Sequence, residues 1–298
     1  MARHSLADLR RMADRCLARH RHRHRHAFGV DACDHRGVPR RGWRGGLPEA
    51  DLRFFRSTRC SEDHVPRGGR SARNAMMRLL DTPDVLTALP NASKGLIEAI
   101  ERSGLVGRGG AGFPVATKWR AVAQRSRGQA VIVVNGAEGE PQSKKDRLLM
   151  TARPHLILDG ALLAARVLRA GRIVLYIGER HDDARNAMLR AVAQRAEPER
   201  RMVTVSAAPS RYVAGAETAA IHLINEGVAT PTSAPPYPFE RGVGGAPTLV
   251  QNVETLANVA LIARTGEAPN TVLVTLAGGV KQPGVLEVES GTTVGEAV

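Results

Sequence analysis

Short apolar runs alternate with longer apolar or amphipathic segments between residues 131 and 206 of this chain. Short aliphatic runs predict buried strands at 131–135, 173–177 and 202–206. Between them, an almost wholly apolar segment at 155–170 predicts a buried helix, and 182–196 predicts an amphipathic helix. Strands that alternate with helices in this way are typical of a parallel α/β sheet.

Further segments complete a predicted domain over residues 85–265. Helical spacing at 95–103 predicts a helix before the first strand, while 217–225 and 251–263 predict two helices after the last. The Pro- and Gly-rich stretch at 231–247 predicts an ordered loop rather than a linker. We therefore expect an α/β fold with a Rossmann-like, three-layer domain.

Positive charge is concentrated in the first 80 residues, which hold 19 Lys and Arg against 8 Asp and Glu, so +11 of the net +14 lies there. This composition favours a disordered, solvated tail over 1–80, with an Arg-His alternation at 19–26. Nucleic-acid contact is one alternative, but no aromatic residues interleave as stacking platforms, so no specific nucleic-acid partner is predicted. Metal chelation is another, through four histidines. They are His20, His22, His24 and His26.

Cysteine usage and hydropathy favour a cytoplasmic protein. Cys16, Cys33 and Cys60 lack paired metal-ligand spacing, so we interpret them as free thiols and predict no metal site. No secretory h-region precedes the domain, and Asp8 and Asp14 argue against a transit peptide. The apolar segment at 155–170 is interrupted by charges and is shorter than the roughly 20 residues that a bilayer requires, so no transmembrane segment is predicted.

The segment from Gly107 to Trp119 combines a glycine cluster with an isolated lysine, Lys118. Glycines let backbone N–H groups approach an anion closely, and the lysine supplies a countercharge. A cradle for a nucleotide or flavin phosphate is the functional interpretation, and a flexible surface loop is the alternative. The spacing G-x-G-x-x-G is present, but no strand precedes it, which argues against a standard NAD site.

Polar residues follow the strand at 131–135. In open α/β sheets the ligand crevice lies at the carboxyl ends of the strands, so Asn135, Glu138 and Glu140 are expected to face it. An ordinary acidic turn is the alternative.

Taken together, these motifs resemble the FMN- and NADH-binding subunit of respiratory complex I, a family with relatives among the diaphorase subunits of NAD-linked hydrogenases. The resemblance covers roughly residues 85–298. It rests on collinear segments at 107–119, 135–141, 146–154, 215–218, 235–238 and 251–255.

The resemblance implies roles for individual residues. The FMN-binding positions are Gly107, Arg108, Gly109, Gly110, Gly112, Lys118, Asn135, Glu138, Gly215, Glu217, Asn252 and Thr255. Glu138 is implied to act catalytically, by shaping the field near the isoalloxazine and the incoming nicotinamide. Phe113, Glu140 and Tyr237 are implied to line the NADH cleft.

Four positions depart from the family pattern. Ala137 replaces an aspartate, Ala216 a glutamate, Ala234 a lysine and Ala121 an aromatic residue. The FMN elements therefore survive better than the NADH elements.

The family also carries four cysteines that bind a [4Fe–4S] cluster, whereas this chain has no cysteine after Cys60. Predicted strands at 271–276 and 284–288 are interpreted as part of a β-grasp (SLBB-like) domain over 270–298. We interpret the chain as a fragment or an early-terminated paralogue.

The implied function is that of an NADH dehydrogenase (quinone)-type oxidoreductase. Hydride would pass from NADH to FMN, and single electrons would pass on to iron–sulfur partner subunits. The expected location is cytoplasmic, peripheral to a membrane complex. Two alternatives stay open: a flavin-binding electron-transfer module that has lost NADH binding, and a non-catalytic scaffold. The intact glycine loop argues against the scaffold, and the replaced charges argue against the dehydrogenase.

Overall fold

A computed structural model describes residues 78–91 and 95–298 of the chain. The Arg-His run at 19–26 and all three cysteines lie outside the described residues, as does nearly all of the predicted tail. Within the described part the predicted α/β class is confirmed, because helices alternate with the strands of a parallel sheet.

The parallel sheet has four strands in the order β3-β2-β1-β4. Their bounds are β1 Ala130–Gly136, β2 Ala170–Gly178, β3 Val203–Ala208 and β4 Thr248–Asn252. The chain builds outward from β1 through β2 to β3 and then returns to the other side of β1, where β4 pairs. The strand order therefore reverses between β1 and β4, which is where α/β sheets open a ligand crevice.

Helices cover both faces of the sheet. They are α1 Leu96–Arg102, α2 Val115–Ala123, α3 Lys145–Ala152, α4 Pro154–Leu168, α5 Asp182–Ala193, α6 Glu197–Met202, α7 Glu217–Glu226, α8 Val253–Thr265 and α9 Val294–Ala297. Alternate strand residues divide the core: Ile132 and Val134 join a large cluster with α4 and α8, whereas Val131 and Val133 join a smaller one with α7. This alternation follows from the period of two along a strand.

Two element predictions need correction, and one helix was not predicted. Gln251 does not begin a helix, because it lies within β4; α8 begins at Val253, after Asn252 adopts an extended backbone and its side chain accepts a hydrogen bond from the N–H of Glu254. The helix predicted at 155–170 ends at Leu168, because Arg169 has a left-handed φ of 52°. The polar residues at 145–152 form α3, an element that the hydrophobic pattern did not indicate.

Strands β5 Thr271–Leu276 and β6 Gly284–Glu289 form a separate antiparallel pair, as predicted for this segment. The pair is tied to the rest of the described structure by polar contacts. The Glu287 carboxylate accepts hydrogen bonds from the N–H groups of Leu79 and Leu80, each at 2.8 Å, and the Leu273 N–H donates to Glu254 at 3.1 Å.

Within the described residues, no single helix is long and apolar enough to cross a membrane. The bent pair formed by α3 and α4, with a 94° angle between its helices, passes the same test of length and composition.

One close helix contact in the core involves Gly160. A Cβ atom at this position of α4 would lie deep inside the contact distance of the Leu256 carbonyl oxygen on α8. We predict that Gly160→Ala destabilises the fold by about 1–3 kcal/mol, because two packed helices must separate. Urea unfolding measures the loss. Gly171→Ala is the matched control, since its Cβ would meet nothing within 4 Å; equal losses in both variants would contradict the packing argument.

Candidate functional site

The candidate site lies where β1 and β4 end side by side. Asn135 and Asn252 are register partners in the two parallel strands, so both side chains sit at the carboxyl edge where the strand order reverses. Most of the site residues predicted from the sequence gather around this point.

The glycine loop connects α1 to α2, so it follows a helix and not a strand. Its base is closed by hydrogen bonds from Gly107 N–H to the Phe113 carbonyl at 2.9 Å and from Val115 N–H to the Leu105 carbonyl at 3.1 Å. Gly110 has a φ of 97°, in the left-handed region that favours glycine. The interpretation that this is not a standard dinucleotide fingerprint agrees with the helix–loop–helix context.

This loop rests on the segment that follows β4. The Arg108 N–H donates to Thr255 Oγ1 at 2.9 Å, and a Cβ on Gly109 would lie 3.5 Å from the Asn252 Cβ. By contrast, Cβ atoms on Gly110 and Gly112 would meet nothing within 4 Å. The loop is therefore anchored on one side and faces open space on the other.

Lys118 reaches the same region from α2. Its ammonium group donates to the Val250 carbonyl on the edge strand β4 at 2.6 Å and forms an ion pair with Glu217 at the start of α7. Its side chain is 16% exposed. The charge of Lys118 is thus held beside the crevice. Because Glu217 is partly exposed, a bound anion could replace it as the partner of Lys118.

The exit of β1 is joined to the start of α7 by close backbone packing. The Asn135 side-chain amide donates to the Gly215 carbonyl at 2.9 Å. A Cβ on Gly139 would collide with the Tyr212 carbonyl oxygen, so only glycine fits there. Tyr212, which is 51% exposed beside this contact, was not among the site residues predicted from the sequence.

Glu138 lies just beyond β1, where its carboxylate is held by three hydrogen-bond donors. Its carboxylate accepts hydrogen bonds from the Ser143 hydroxyl at 2.6 Å, from Asp146 N–H at 2.9 Å and from Arg147 N–H at 3.0 Å. The last two groups belong to the first turn of α3, whose free N–H groups need acceptors. Glu138 therefore caps the N-terminus of α3. Its own backbone has a φ of 47°, in the left-handed region.

Behind Asn252 lies a buried ionic cluster that the sequence analysis did not identify. Lys145 Nζ lies 2.7 Å from Asp146 Oδ1 and 2.8 Å from Glu254 Oε2. The Asn252 amide donates to Asp146 Oδ2 at 2.7 Å, and Glu254 Oε1 accepts the Leu273 N–H. The cluster therefore connects α3, α8 and β5 directly beneath the glycine loop.

Burial controls the ionisation of this cluster. For Asp146, burial raises the pKa to about 6; Lys145 opposes the shift, and the Glu138 and Glu254 charges add to it. For Lys145, burial alone would lower the pKa, but the two carboxylates outweigh it and raise the pKa. The lysine therefore stays charged between two acids.

The three residues implied to line an NADH cleft do not all lie together in the structure. Phe113 closes the base of the glycine loop and Glu140 is exposed beyond β1, so both border the site. Tyr237 is buried, stacks on Phe239 with ring centroids 5.4 Å apart, and precedes Pro238, which bonds to the first residue of β4. The structure thus places Tyr237 near the amino end of β4, apart from the other site residues.

The glycine loop and its surroundings suit a ligand that carries a phosphate group. Open space in front of Gly110 and Gly112 leaves room for close approach to backbone N–H groups. Arg108 Nε is buried without a hydrogen-bond partner, so a donor within the loop is unused. Among the residues that the structure describes, no group of three or more His, Cys, Asp or Glu side chains is placed to hold a metal ion.

Comparison with known proteins assigns the chain to a family. Residues 100–261 match the model of the Nuo51 FMN-binding domain of the complex I 51 kDa family. The chain belongs to this family. The matched range begins in α1, ends in α8 and contains the glycine loop and the ends of both β1 and β4.

Curated relatives agree with the assignment. The F subunit of NADH-quinone oxidoreductase is 35% identical over 223 residues in both Salmonella typhimurium and Escherichia coli, covering 67% of this chain and 50% of the relative. The corresponding protein of Aquifex aeolicus is 31% identical over 233 residues, covering 71% and 54%. The chain therefore spans about half the length of these relatives.

Solved structures give the same fold. The NAD+-reducing [NiFe]-hydrogenase in its air-oxidised state matches with a TM-score of 0.63 and 34% identity, over 74% of this chain and 42% of that chain. The H2-reduced state matches with a TM-score of 0.61 and 33% identity, over 71% and 39%. The predicted resemblance to the complex I family is confirmed.

The buried cluster makes a pH-dependent contribution to stability. Because the folded pKa of Asp146 is raised from 3.8 to about 6, the folded state holds a proton that the unfolded state releases. This contribution is present below the unfolded pKa and is lost as the pH rises through the folded one. We predict that, between about pH 4 and 7.5, wild type loses on the order of 2–3 kcal/mol relative to Asp146→Asn.

Urea unfolding of both proteins at several pH values measures this difference. Asp182→Asn is the control, because Asp182 is an exposed carboxylate at the start of α5. A stability difference between wild type and Asp146→Asn that does not change with pH would contradict the raised pKa.

Proposed function

We propose that this chain is the flavin-binding part of an NADH dehydrogenase-type oxidoreductase that uses FMN. Hydride would come from NADH, and single electrons would leave to an iron–sulfur acceptor on partner subunits. One observation carries the proposal: in a chain of the FMN-binding family, the glycine loop rests on Asn252, the register partner of Asn135, where the strand order reverses.

In this proposal the glycine loop and Lys118 hold the phosphate of FMN. Gly107, Arg108, Gly109, Gly110 and Gly112 supply the backbone of the cradle, while Asn135, Gly215, Glu217, Asn252 and Thr255 surround the rest of the cofactor. When bound, FMN supplies hydride acceptance and one-electron release; the protein orients it and sets its electrostatic surroundings. Binding would require Lys118 to exchange part of its contact with Glu217 for the phosphate.

In this proposal Glu138 contributes the field of a carboxylate held in a fixed position, and it does not act as a free base. Its oxygens accept hydrogen bonds from Ser143 and from two N–H groups of α3, so three donors hold the carboxylate in place. Its charge still contributes to the field at the carboxyl edge. Phe113 and Glu140 border the open side of the crevice and are assigned to the NADH side.

The organisation of the chain is also part of the proposal. We assign residues 1–80 to a tail, 85–265 to the FMN-binding domain and 270–298 to part of a β-grasp (SLBB-like) domain, of which β5 and β6 are two strands. A cytoplasmic location, peripheral to a membrane complex, fits the NADH-quinone oxidoreductase relatives. Tyr237 stays proposed as a residue of the NADH path, in a buried position where it stacks on Phe239.

A second candidate function is a flavin-binding electron-transfer module without NADH binding. It is favoured by three alanines at positions where the family resemblance implies charged residues: Ala137, Ala216 and Ala234. Measuring FMN binding and NADH oxidation separately distinguishes the two functions.

The first test is FMN binding. We predict that the purified chain, incubated with FMN and desalted, shows the absorption bands of an oxidised flavoprotein. Lys118→Ala should weaken binding by about 1.5–3 kcal/mol, because a partly buried charge-assisted contact is lost. Gly110→Val should weaken it at least as much, since its φ of 97° is strained for valine.

Isothermal titration with FMN measures the affinities. Lys281→Ala is the matched control, because Lys281 is exposed in the turn between β5 and β6. Retention of FMN by Lys118→Ala as tightly as by the parent would refute the phosphate cradle.

The second test is NADH affinity. If two or three charge-assisted contacts worth about 1.5–3 kcal/mol apiece are missing, the affinity falls by roughly 10³-fold or more. We predict weak or absent NADH oxidation by the FMN-loaded chain with an artificial acceptor, and a gain in the double variant Ala216→Glu/Ala234→Lys. Saturation of the parent by micromolar NADH with rapid flavin bleaching would instead mean that other groups, such as Lys144 or Arg241, replace the lost contacts.

A further inference from the structure

The buried charges behind Asn252 do not balance, and the proposed flavin chemistry leaves them unused. Lys145 supplies one ammonium group, whereas Asp146 and Glu254 supply two carboxylates that are 5% and 1% exposed. With both acids ionised, the cluster keeps one net negative charge away from water, which is costly. One proton taken up by the cluster would remove that charge.

Asp146 is the carboxylate suited to accept this proton. Glu254 is fixed by the ammonium of Lys145 and by the backbone N–H of Leu273 in β5. Asp146 shares the same ammonium, but its other partner is the neutral side-chain amide of Asn252. Burial also raises the pKa of Asp146 to about 6, near the range in which a small change of field alters its protonation.

The charged groups around Asp146 are accounted for on each neighbouring element. Glu138, at the exit of β1, faces it but is held by three donors. On its own helix, Arg147 turns away to Asp183 of α5 at 2.9 Å. Elsewhere on α5, Asp182 pairs with Arg185 at 2.6 Å, and Arg190 is exposed. Strand β5 contains no charged residue. The ionisable residues of α4 bond to partners elsewhere: His155 to Gln194, Asp159 to Arg195 and Arg264, and Arg166 to Glu199.

Asp146 is separated from the crevice by one side chain. The Asn252 amide donates to its carboxylate at 2.7 Å, and the Asn252 Cβ is also the atom on which Gly109 of the glycine loop rests. A negative charge added to the crevice would act on Asp146 through a largely buried surrounding, where charges are weakly screened, and this favours the protonated form of Asp146.

We propose that Asp146 takes up one proton when negative charge is added to the crevice, and thereby couples proton uptake to reduction of the bound flavin. This inference rests on the proposed function. Hydride from NADH brings two electrons and one proton, which leaves one added negative charge on the reduced cofactor at neutral pH. Asp146 forms an O–H bond with a proton drawn from water, and its own charge is lost, so the net charge of the region is unchanged.

The test is the pH dependence of the midpoint potential of bound FMN, measured by spectroelectrochemistry on the full chain. Between about pH 6 and 8, wild type should take up close to two protons per two electrons, and Asp146→Asn should take up about one. A role in folding alone would not change this slope. Asp183→Asn, an exposed carboxylate on the neighbouring helix, is the matched control and should keep the wild-type slope.

A second measurement needs no variant. In wild type labelled with ¹³C-aspartate, reduced-minus-oxidised infrared spectra should show a protonated aspartic acid carbonyl band that shifts with the label. Equal slopes in wild type and Asp146→Asn, or absence of the band, would overturn the inference while leaving FMN binding intact. A chain that retains no FMN would overturn the proposed function and the inference together.

Discussion

The parallel pairing of β4 with β1 is the interaction on which the rest of the site depends. β4 has five residues, and it joins the sheet only after the chain has passed through β2 and β3 and returned. Its Val250 carbonyl accepts a hydrogen bond from Lys118, and its last residue, Asn252, caps the start of α8 and supports Gly109. Without this strand, the glycine loop would have no surface on which to rest.

A second constraint is the burial of charge immediately behind that strand. Burying an ammonium group and two carboxylates costs free energy that their mutual attraction does not fully offset. The cluster nevertheless connects α3, α8 and β5 through directional contacts, which apolar side chains of similar size would not provide. Its benefit is therefore specific geometry beneath the loop, together with a charge state that responds to what the crevice contains.

The sequence predicted the sheet better than it predicted the site. Strands β1 and β2 are buried on both faces, so they appear as continuous aliphatic runs of the kind that parallel sheets require. β4 was missed because it follows a Pro- and Gly-rich loop and merges directly into the period of α8. The ionic cluster was missed for another reason: Lys145 and Asp146 are adjacent polar residues after a strand, a pattern typical of exposed turns, and only the fold brings Glu254 to them.

Three contacts hold the backbone around the crevice without using a charged side chain. Gly139 packs against the Tyr212 backbone, Asn135 bonds to the Gly215 carbonyl, and Arg108 bonds to Thr255 through its own N–H. Two of these three contacts lie beside Ala137 and Ala216, yet none of the three uses the side chain of either alanine. Acids at those two positions would add charge without changing any of the three contacts, so the shape of the crevice and its charge can vary independently.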